Sequence, residues 1–345
     1  MASTERRSER PPVMTDVARL AGVSHQTVSR VLNDHPNVRP QTRETVLAAI
    51  SELGYRPNAA ARTLVTRRTG TLGVISFDTT FFGPSSMLYA IEGAAQDSYF
   101  VVIASLQSLD RGSVLEAVDR FVGQGVEGII VIAPLTSAVS ALGDCAGDIP
   151  LVAVGCGTHA PLTSVAVDNA AGGALATRYL LGLGHETVHH IAGPASWLDA
   201  YERIAGWRQA LQETQAPEPA ILAGDWSSAS GYEIGNQLAA DDRVTAVFCA
   251  NDPMALGVLR ALSEHGRRVP GDVSVVGFDD IPDSAYFLPP LTTVRQNFGE
   301  LGRRALAALV DLINGRDPSS LAPVTPRLVV RSSTGPPELY PVDLG

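Results

Sequence analysis

The spacing of hydrophobic positions changes near residue 70 of this chain. Before that point, apolar residues are spaced as in short helices around a tight turn, whereas after it short apolar runs alternate with helix-length amphipathic segments. Runs of the second kind are typical of parallel strands that are buried on both faces. The pattern therefore predicts a small all-α head followed by an α/β body.

The N-terminal pattern predicts a helix-turn-helix unit. Residues 14–33 (MTDVARLAGVSHQTVSRVLN) contain two short segments of helical spacing, with Gly22 at the sharp corner between them. We expect Thr15 to cap the first helix and Ser24 to cap the second, because a hydroxyl oxygen can accept a hydrogen bond from a free helix amide. A third helix is expected over residues 40–53.

The second helix carries polar side chains of the types that contact DNA. Glutamine can bridge adenine and arginine can bridge the two acceptors of guanine, whereas serine, threonine and asparagine suit phosphate oxygens. The alternative interpretation is a solvated helix pair without a DNA role. The residues assigned to DNA contact in this unit are Thr15, Ser24, His25, Gln26, Thr27, Ser29, Arg30 and Asn33.

The segment that follows, residues 55–70 (YRPNAAARTLVTRRTG), joins the head to the body. Residues 58–65 have the length of one or two helical turns, which is marginal for a helix alone in water. An apolar Leu64 on such a linker needs a receiving surface, and a stretched base step in a DNA minor groove would provide one. A plain linker is the alternative.

Residues 14–70 resemble the DNA-binding head of the LacI/GalR family, through the motifs VSxxTVSRVLN and YxPNxxAxxL. The resemblance implies that His25, Gln26 and Arg30 contact operator bases. It also implies that two paired hinge helices enter the minor groove and kink the DNA, and that the protein is a homodimer on a pseudo-palindromic operator. The hinge residues assigned to operator contact are Asn58, Ala61 and Leu64.

The body pattern predicts two doubly wound α/β halves with a cleft between them, because residues 70–345 are many for a single sheet. Eight apolar runs are predicted strands: LGVISFD, FVVIASL, GIIVIAP, PLVAVG, SVAVDN, VHHIAG, AVFCAND and VSVVGFDD. The predicted helices cover residues 86–98, 112–123, 170–183, 200–213, 253–265 and 298–314. Ligands of such sheets bind beyond the carboxyl ends of the strands.

Six polar or aromatic residues stand near predicted strand ends or helix starts, namely Arg203, Trp226, Asn251, Asp252, Asp279 and Asp280. A guanidinium, an amide and a carboxylate can share the hydroxyls of a sugar, while an indole covers its apolar face. Taken singly, each residue is equally well explained as a structural cap or a loop bond. Their shared position at one side of a sheet favours a ligand site.

The family resemblance extends to about residue 334, through GDWSxxSG, ANDxMALGxxRA, DxSVVGxDDxxDS and PPLTTVRQ. It implies the periplasmic-binding-protein type I fold. It also implies effector contacts from Phe81, Met87, Arg203, Trp226, Asn251, Asp279 and Phe298. The chain departs from the family's lactose-binding pattern at Phe77, Gly155, Trp197 and Asp199. A galactoside is therefore a first guess, and a bulkier or different saccharide is an open alternative.

Charge and composition agree with a DNA-binding head on a separate regulatory body. Residues 1–69 hold 11 arginines and 6 acidic residues, whereas residues 70–345 hold 15 and 30, which together give the net charge of −10. Phosphate contacts require local positive charge and not a basic average. No apolar run of about 18 residues occurs, so no membrane segment is predicted. Without an export signal, and with three irregularly spaced cysteines, the chain is expected in the cytoplasm.

One motif suggests metal catalysis. His185-Glu186-Thr187-Val188-His189 matches the HExxH pattern of zinc proteases, which requires both imidazoles on one helix face. Here Gly182 and Gly184 end the preceding predicted helix and VHHIAG is a predicted strand, so we expect no zinc site. No GxSxG or Walker A motif is present. The sequence therefore predicts neither an enzyme nor a cofactor.

The favoured hypothesis is a DNA-binding transcriptional repressor that a small saccharide releases from its operator. The alternatives are a sugar-binding protein without a DNA role and a corepressor-dependent regulator with a non-galactoside ligand. The C-terminal PPELYPVDLG lacks leucine heptads, so a dimer is predicted and not a coiled-coil tetramer. The predicted parts are a disordered N-terminus (1–13), the head (14–57), the hinge helix and linker (58–70), the effector-binding and dimerisation body (71–334) and a tail (335–345).

Overall fold

The computed structural model describes residues 12–32, 35–55, 68–108, 110–135, 149–157, 162–318 and 321–337. Its contacts divide the chain into two compact units, residues 1–69 and residues 70–345. The division falls where the hydrophobic spacing changes. No helix in the described part of the chain is long and apolar enough to cross a bilayer.

The first unit is a bundle of three helices: α1 (Met14–Ala21), α2 (His25–Leu32) and α3 (Pro40–Leu53). Gly22 ends α1 in the left-handed conformation, with φ of 64°, which permits the sharp corner before α2. A small core closes the bundle. Its buried members are Val17, Ala18, Val28, Val31, Val46, Ala49 and Tyr55.

The two predicted helix caps differ in outcome. Ser24 caps α2, because its Oγ accepts a hydrogen bond from the Thr27 amide at 3.1 Å, as expected. The expectation for Thr15 is wrong, since α1 begins at Met14 and Thr15 lies exposed within its first turn. Asp16 performs the corresponding role by accepting a hydrogen bond from the Val13 amide at 3.1 Å.

The second unit contains two sheets. The strands are β1 (Thr71–Phe77), β2 (Phe100–Leu106), β3 (Gly128–Ile132), β4 (Leu151–Val154), β5 (Ser164–Val165), β6 (His189–Ala192), β7 (Leu222–Ala223), β8 (Ala246–Cys249), β9 (Ser274–Asp279), β10 (Thr292–Arg295) and β11 (Arg327–Val329). The first sheet has the order β2-β1-β3-β4-β5 and is parallel throughout, and the second has the order β11-β10-β9-β8-β6-β7 and is parallel except for the β10–β11 pair. In the first sheet Val74 lies opposite Ile103 on one side and Ile130 on the other.

Helices cover both faces of each sheet, so each half is doubly wound as predicted. The helices are α4 (Phe82–Ala95), α5 (Arg111–Gly123), α6 (Asn169–Gly182), α7 (Leu198–Thr214), α8 (Ser228–Ala239), α9 (Asp252–Glu264) and α10 (Phe298–Ile313), with a 3-10 turn at Pro282–Tyr286. One apolar cluster joins α4 and α10 to the first sheet and another joins α5 to its opposite face, while α6 and α7 cover one face of the second sheet and α8 and α9 the other.

The chain passes between the two halves three times: after β5, after β10 and after α10. Helix α10 follows the second sheet in sequence but buries Leu301, Ala305 and Leu309 against the first. Two of the crossing segments touch, since Val167 and Val324 form an isolated parallel bridge. The body is therefore two subdomains that share crossovers and not two consecutive domains.

Candidate functional site

The exposed face of α2 carries the residues assigned to base contact. His25, Gln26 and Arg30 are exposed, whereas Val28 and Val31 on the opposite side are buried in the head. Gln26 and Arg30 are four residues apart and so lie on the same side of the helix. This face can present an amide and a guanidinium together to base edges in a major groove.

The other residues assigned to DNA lie around this face or outside the described residues. Thr27 and Ser29 on α2 are half-buried, Thr15 is exposed on α1, and the Ser24 hydroxyl lies 2.9 Å from that of Thr27. Asn33, Asn58, Ala61 and Leu64 fall outside the described part of the chain. Their assignments stay predictions from the sequence.

A cavity of about 380 Å³ lies between the two subdomains of the body. It is bounded by the ends of β1 and β9 and by the starts of α7, α8 and α9, so it occupies the strand-end position that parallel sheets use for ligands. Five of the seven residues assigned to effector contact line it: Phe81, Arg203, Trp226, Asn251 and Asp279.

The structure does not bring Met87 and Phe298 to the cavity wall, so their assignment as effector contacts stays a prediction from the family resemblance. Met87 is buried in the core of the first subdomain. Phe298 packs edge-on against Phe82, with ring centroids 6.0 Å apart, and Phe82 takes the place on the cavity wall. Phe298 therefore supports the wall from behind.

Arg203 is the centre of the polar end of the cavity. Its Nε donates a hydrogen bond to Asn169 Oδ1 at 2.9 Å, and its Nη1 donates to the Ala250 carbonyl. Its Nη2 lies 3.7 Å from Asp279 Oδ1, and its guanidinium carbon lies 3.8 Å from the centroid of the Phe278 ring. These contacts hold the planar guanidinium in one orientation before any ligand arrives.

Asp279 is a buried carboxyl at the end of β9. Burial raises the pKa of Asp279 to about 6, against the opposing effects of Arg203 and of a hydrogen bond from Gln296 Nε2 at 2.6 Å. Its φ of 105° and that of Asp280, 55°, are left-handed values that are rare outside glycine. Asp280 is held by Arg295 and Arg331, whose hydrogen bonds outweigh burial and lower the pKa of Asp280.

Asn251 has mainly a structural role. Its Oδ1 accepts a hydrogen bond from the Met254 amide at 2.9 Å and caps α9, while its Nδ2 donates to the Trp226 carbonyl at 2.9 Å. Trp226 itself has a left-handed φ of 73°. Asn251 therefore fixes the indole on the cavity wall more than it offers its amide to a ligand.

An aromatic wall, formed by Phe81, Trp197 and Trp226, runs along one side of the cavity. Trp197 lies edge-on to both neighbours, with ring centroids 5.4 Å from Phe81 and 5.6 Å from Trp226. Phe81 comes from the first subdomain and the two tryptophans from the second. The wall therefore spans the cleft and suits the apolar face of a flat or cyclic ligand.

Sequence reasoning missed part of the lining. Trp197 and Asp199 had been noted only as departures from a family pattern, and Gln296 was not singled out, although it directly follows β10. Gln296 Oε1 and Trp226 Nε1 are buried and find no hydrogen-bond partner among the described residues. Buried polar atoms without partners are rare, and a bound polar molecule would supply them.

The motif suggestive of zinc has a different role in the structure. His185 lies in the loop after α6, where its ring nitrogens contact Thr245 Oγ1 at 3.0 Å and Ser274 Oγ at 3.1 Å, and His189 begins β6. The two imidazoles are therefore not on one helix. Within the described ranges no group of side chains is arranged to hold a metal ion. Burial raises the pKa of the Cys156 thiol to about 11, which disfavours a nucleophilic role.

Comparisons with known proteins agree with the two-part organisation. Residues 13–58 match the family of bacterial regulatory proteins called the lacI family, and residues 177–334 match the periplasmic binding protein-like domain. The chain is 37% identical over 331 residues to the lactose operon repressor of Escherichia coli K12, covering 94% of this chain and 91% of the relative. It is 34% identical over 328 residues to the transcriptional repressor PurR of Vibrio parahaemolyticus, covering 92% and 97%.

Solved structures are similar as well. A Lac repressor dimer bound to operator and the anti-inducer ONPF matches with a TM-score of 0.84 and 36% identity, covering 94% of this chain and all of the other. A complex of the transcriptional regulator CelR with cellobiose matches with a TM-score of 0.68 and 34% identity, covering 93% and 99%.

Proposed function

Because the chain belongs to the LacI family of bacterial regulatory proteins, we propose that it is a sequence-specific repressor whose affinity for its operator changes when a small saccharide binds in the cleft of the body. The observation that carries the proposal is the presence in one chain of a helix-turn-helix head and a cleft lined by aromatic, carboxyl and guanidinium groups. The relatives are named as transcriptional repressors, which supports a regulator over an enzyme.

For the operator, His25, Gln26 and Arg30 are the proposed base contacts, with Thr15, Ser24, Thr27 and Ser29 near phosphates. The sequence adds Asn33, Asn58, Ala61 and Leu64 to this set. A homodimer on a pseudo-palindromic site is proposed, since the similar Lac repressor structure is a dimer bound to operator.

For the effector, Arg203 and Asp279 would bind hydroxyl groups and the aromatic wall would cover an apolar sugar face. A galactoside remains the first guess from the sequence, and the CelR–cellobiose neighbour supports a saccharide of up to two rings. The volume of about 380 Å³ is within the range of small-molecule sites.

Effector binding would be coupled to the relative orientation of the two subdomains, because both subdomains contribute residues to the cavity. Phe81 belongs to the first subdomain, whereas Arg203, Trp226 and Asp279 belong to the second. A ligand that touches both sets binds best in one relative orientation of the subdomains and shifts the population toward it. The hinge predicted from the sequence would then transmit that orientation to the paired heads.

The DNA part is tested by anisotropy titration against an operator selected from random-sequence DNA. Arg30→Ala should lose about 1–3 kcal/mol of specific binding and relax base preference at one position, because a bidentate contact to guanine is lost. The control is Arg178→Ala, which removes the same charge from a surface pair with Glu213 in the body. Unchanged base preference in Arg30→Ala would reject the assigned contact.

The effector part is tested by adding a panel of mono- and disaccharides to the complex with operator. A sugar should change operator affinity of the wild type, and Asp279→Asn or Arg203→Ala should retain operator binding but lose the response. Glu213→Gln removes one negative charge from the body surface, as Asp279→Asn does from the cleft, and its operator affinity should change with sugar as in the wild type. If none of the sugars changes operator affinity, the saccharide assignment is wrong, and if sugar strengthens binding the ligand is a corepressor.

A further inference from the structure

Asp199 adds a second carboxyl to the polar end of the cleft. It is the second residue of α7, lines the cavity and is only 8% exposed. Its Oδ1 accepts a hydrogen bond from Asn169 Nδ2 at 2.9 Å, while its Oδ2 lies 3.9 Å from Arg203 Nη2. The carboxyl is thus fixed by one oxygen, and the other stands beside the guanidinium.

Arg203 Nη2 is shared between two carboxyls without a hydrogen bond to either. It lies 3.7 Å from Asp279 Oδ1 and 3.9 Å from Asp199 Oδ2, and both separations exceed an ordinary hydrogen bond. A hydroxyl can accept from a guanidinium while it donates to a carboxylate. Two neighbouring hydroxyls of one ligand can therefore bind Nη2 and each donate to a different carboxyl.

The same place disfavours an anion. Among the described residues that line the cavity, the charged side chains are three carboxyls and one guanidinium: Asp199, Asp279, Asp283 and Arg203. The guanidinium already donates to Asn169 and to the Ala250 carbonyl. An anionic group placed here would meet the carboxyls of Asp199 and Asp279 against the one guanidinium of Arg203, and each carboxyl in its ionised form would repel it, although burial raises the pKa of both.

Four helices begin at the cavity, namely α4, α7, α8 and α9, and helix N-termini ordinarily attract anions. At α4 the N-cap residue is Phe81, which offers no side-chain cap. At the other three, which begin in the second subdomain, the protein supplies its own groups. Ser227 caps α8 and Asn251 caps α9 through side-chain oxygens, and Asp199 places a carboxyl in the first turn of α7. Asp199 thus stands where a ligand phosphate or carboxylate would otherwise be favoured.

We infer that Asp199 is a specificity-determining residue that makes this cleft select an uncharged ligand with neighbouring hydroxyls and exclude anionic sugars such as sugar phosphates and uronates. The inference rests on the proposed saccharide function and deepens it. It is supported independently of charge by the buried Gln296 Oε1, which has no partner among the described residues and can accept a hydrogen bond from a ligand hydroxyl.

The test uses the full-length protein and matched probes: glucose with glucose 6-phosphate and with glucuronate, and cellobiose and lactose with their 6′-phosphates, in which both rings stay closed. Calorimetric titration gives the ratio of neutral to anionic affinity for each pair. We expect the wild type to prefer the neutral member by at least about tenfold. Asp199→Asn should reduce that ratio by about tenfold, because the shape is kept while the charge is removed.

Two further variants complete the design. Glu218→Gln removes an equal charge from a surface pair with Arg208 and should leave the ratio unchanged, which separates a local from a net-charge effect. Asp199→Ser removes the carboxyl from the first turn of α7, and this variant should bind glucose 6-phosphate more tightly than the wild type does. Should Asp199→Asn fail to fold, Asp199→Ser provides the same comparison.

The outcomes separate this inference from the proposed function. An unchanged ratio in folded Asp199 variants that still bind the neutral sugars overturns the role of Asp199 alone. A wild type that binds anionic members as tightly as neutral ones also overturns it. A wild type that binds none of the probes overturns the saccharide assignment and the inference with it, while the operator titration still tests the DNA-binding part.

Discussion

Replacing Gly206 with alanine tests how closely the two helices beneath the cleft are packed. Gly206 lies in α7, and a Cβ there would be 1.9 Å from the Ala170 carbonyl oxygen and 2.8 Å from the Ala174 amide nitrogen of α6. From the other side, a Cβ at Gly173 would be 2.4 Å from the Arg203 carbonyl oxygen. Ordinary contact begins near 3.4 Å, so the helices would have to separate by more than 1 Å at this crossing.

The size of the effect follows from what the new methyl group meets. Backbone atoms inside two helices cannot rotate away, so the cost is that of overpacking, about 1–3 kcal/mol or more. The gain from replacing glycine inside a helix is only about 0.5–1 kcal/mol. We expect a net loss of about 2 kcal/mol, or a fall in Tm of roughly 4–8 °C for a unit of this size. Separating α6 should also loosen the hold of Asn169 on Arg203 and weaken effector binding.

The matched control is Gly93→Ala in α4, where a Cβ would meet no atom within 4 Å. That substitution should stabilise the body by about 0.5–1 kcal/mol, because it restricts the unfolded chain without a clash. Urea and thermal unfolding of both variants measure the difference. A Gly206→Ala protein as stable as the wild type would refute the close helix contact.

Two further predictions concern the head and the buried histidine. Ser24→Ala should lower the stability of α2 by about 1 kcal/mol, seen as faster exchange of the Thr27 amide, and unchanged exchange would contradict the cap. Burial lowers the pKa of His190, whose Nδ1 donates to the Phe248 carbonyl, to about 4 from 6.5. The unfolded chain then binds more protons, so this residue should contribute about 3 kcal/mol of stability above pH 6.5 that is lost as the pH falls to about 4. His190→Phe should remove this pH dependence of the free energy of unfolding. The measurement is the difference in free energy of unfolding between the wild type and the variant at each pH, because Asp279 titrates in the opposite sense in both proteins. A difference that stays constant with pH would reject the role of His190.

The strands that could be predicted are those with continuous apolar runs, and the missed elements show why others could not. Strand β10 has the sequence TTVR, and its buried threonines are tolerated because Thr293 donates a hydrogen bond to Asp252 and the Thr292 hydroxyl donates to or accepts from that of Thr334. These partners are distant in sequence, so a polar run gave no strand signal. Strand β7 is only two residues long.

Helix α8 escaped prediction for a different reason. Its contact with α9 depends on small residues, since a Cβ at Gly231 would lie 2.2 Å from the Met254 carbonyl oxygen and one at Gly235 would lie 2.8 Å from Ala261 Cβ. The close packing of α8 against α9 is possible because these positions have no side chain. A method that counts apolar residues cannot detect it.

For the ligand cleft, residues at strand ends were predictable because the fold brings those ends together, and Asp279 and Asn251 are examples. Met87 and Phe298, assigned from the family pattern, lie off the cavity wall in this structure: Met87 is in the core of the first subdomain and Phe298 packs behind Phe82. Gln296 could not be found by spacing alone, since its significance depends on its hydrogen bond to Asp279.

That hydrogen bond also links the proposed ligand site to a segment that joins the two subdomains. Asp279 ends β9 in the second sheet, whereas Gln296 lies in the segment that crosses from β10 to α10 of the first subdomain. Arg295, the last residue of β10, holds Asp280, whose φ of 55° is left-handed. A ligand hydroxyl that binds Asp279 must compete with Gln296 or join it, and either event changes the forces on the crossover. Under the proposed function, this covalent connection would give a ligand a second route to subdomain orientation, beside the contacts that it makes on both sides of the cleft.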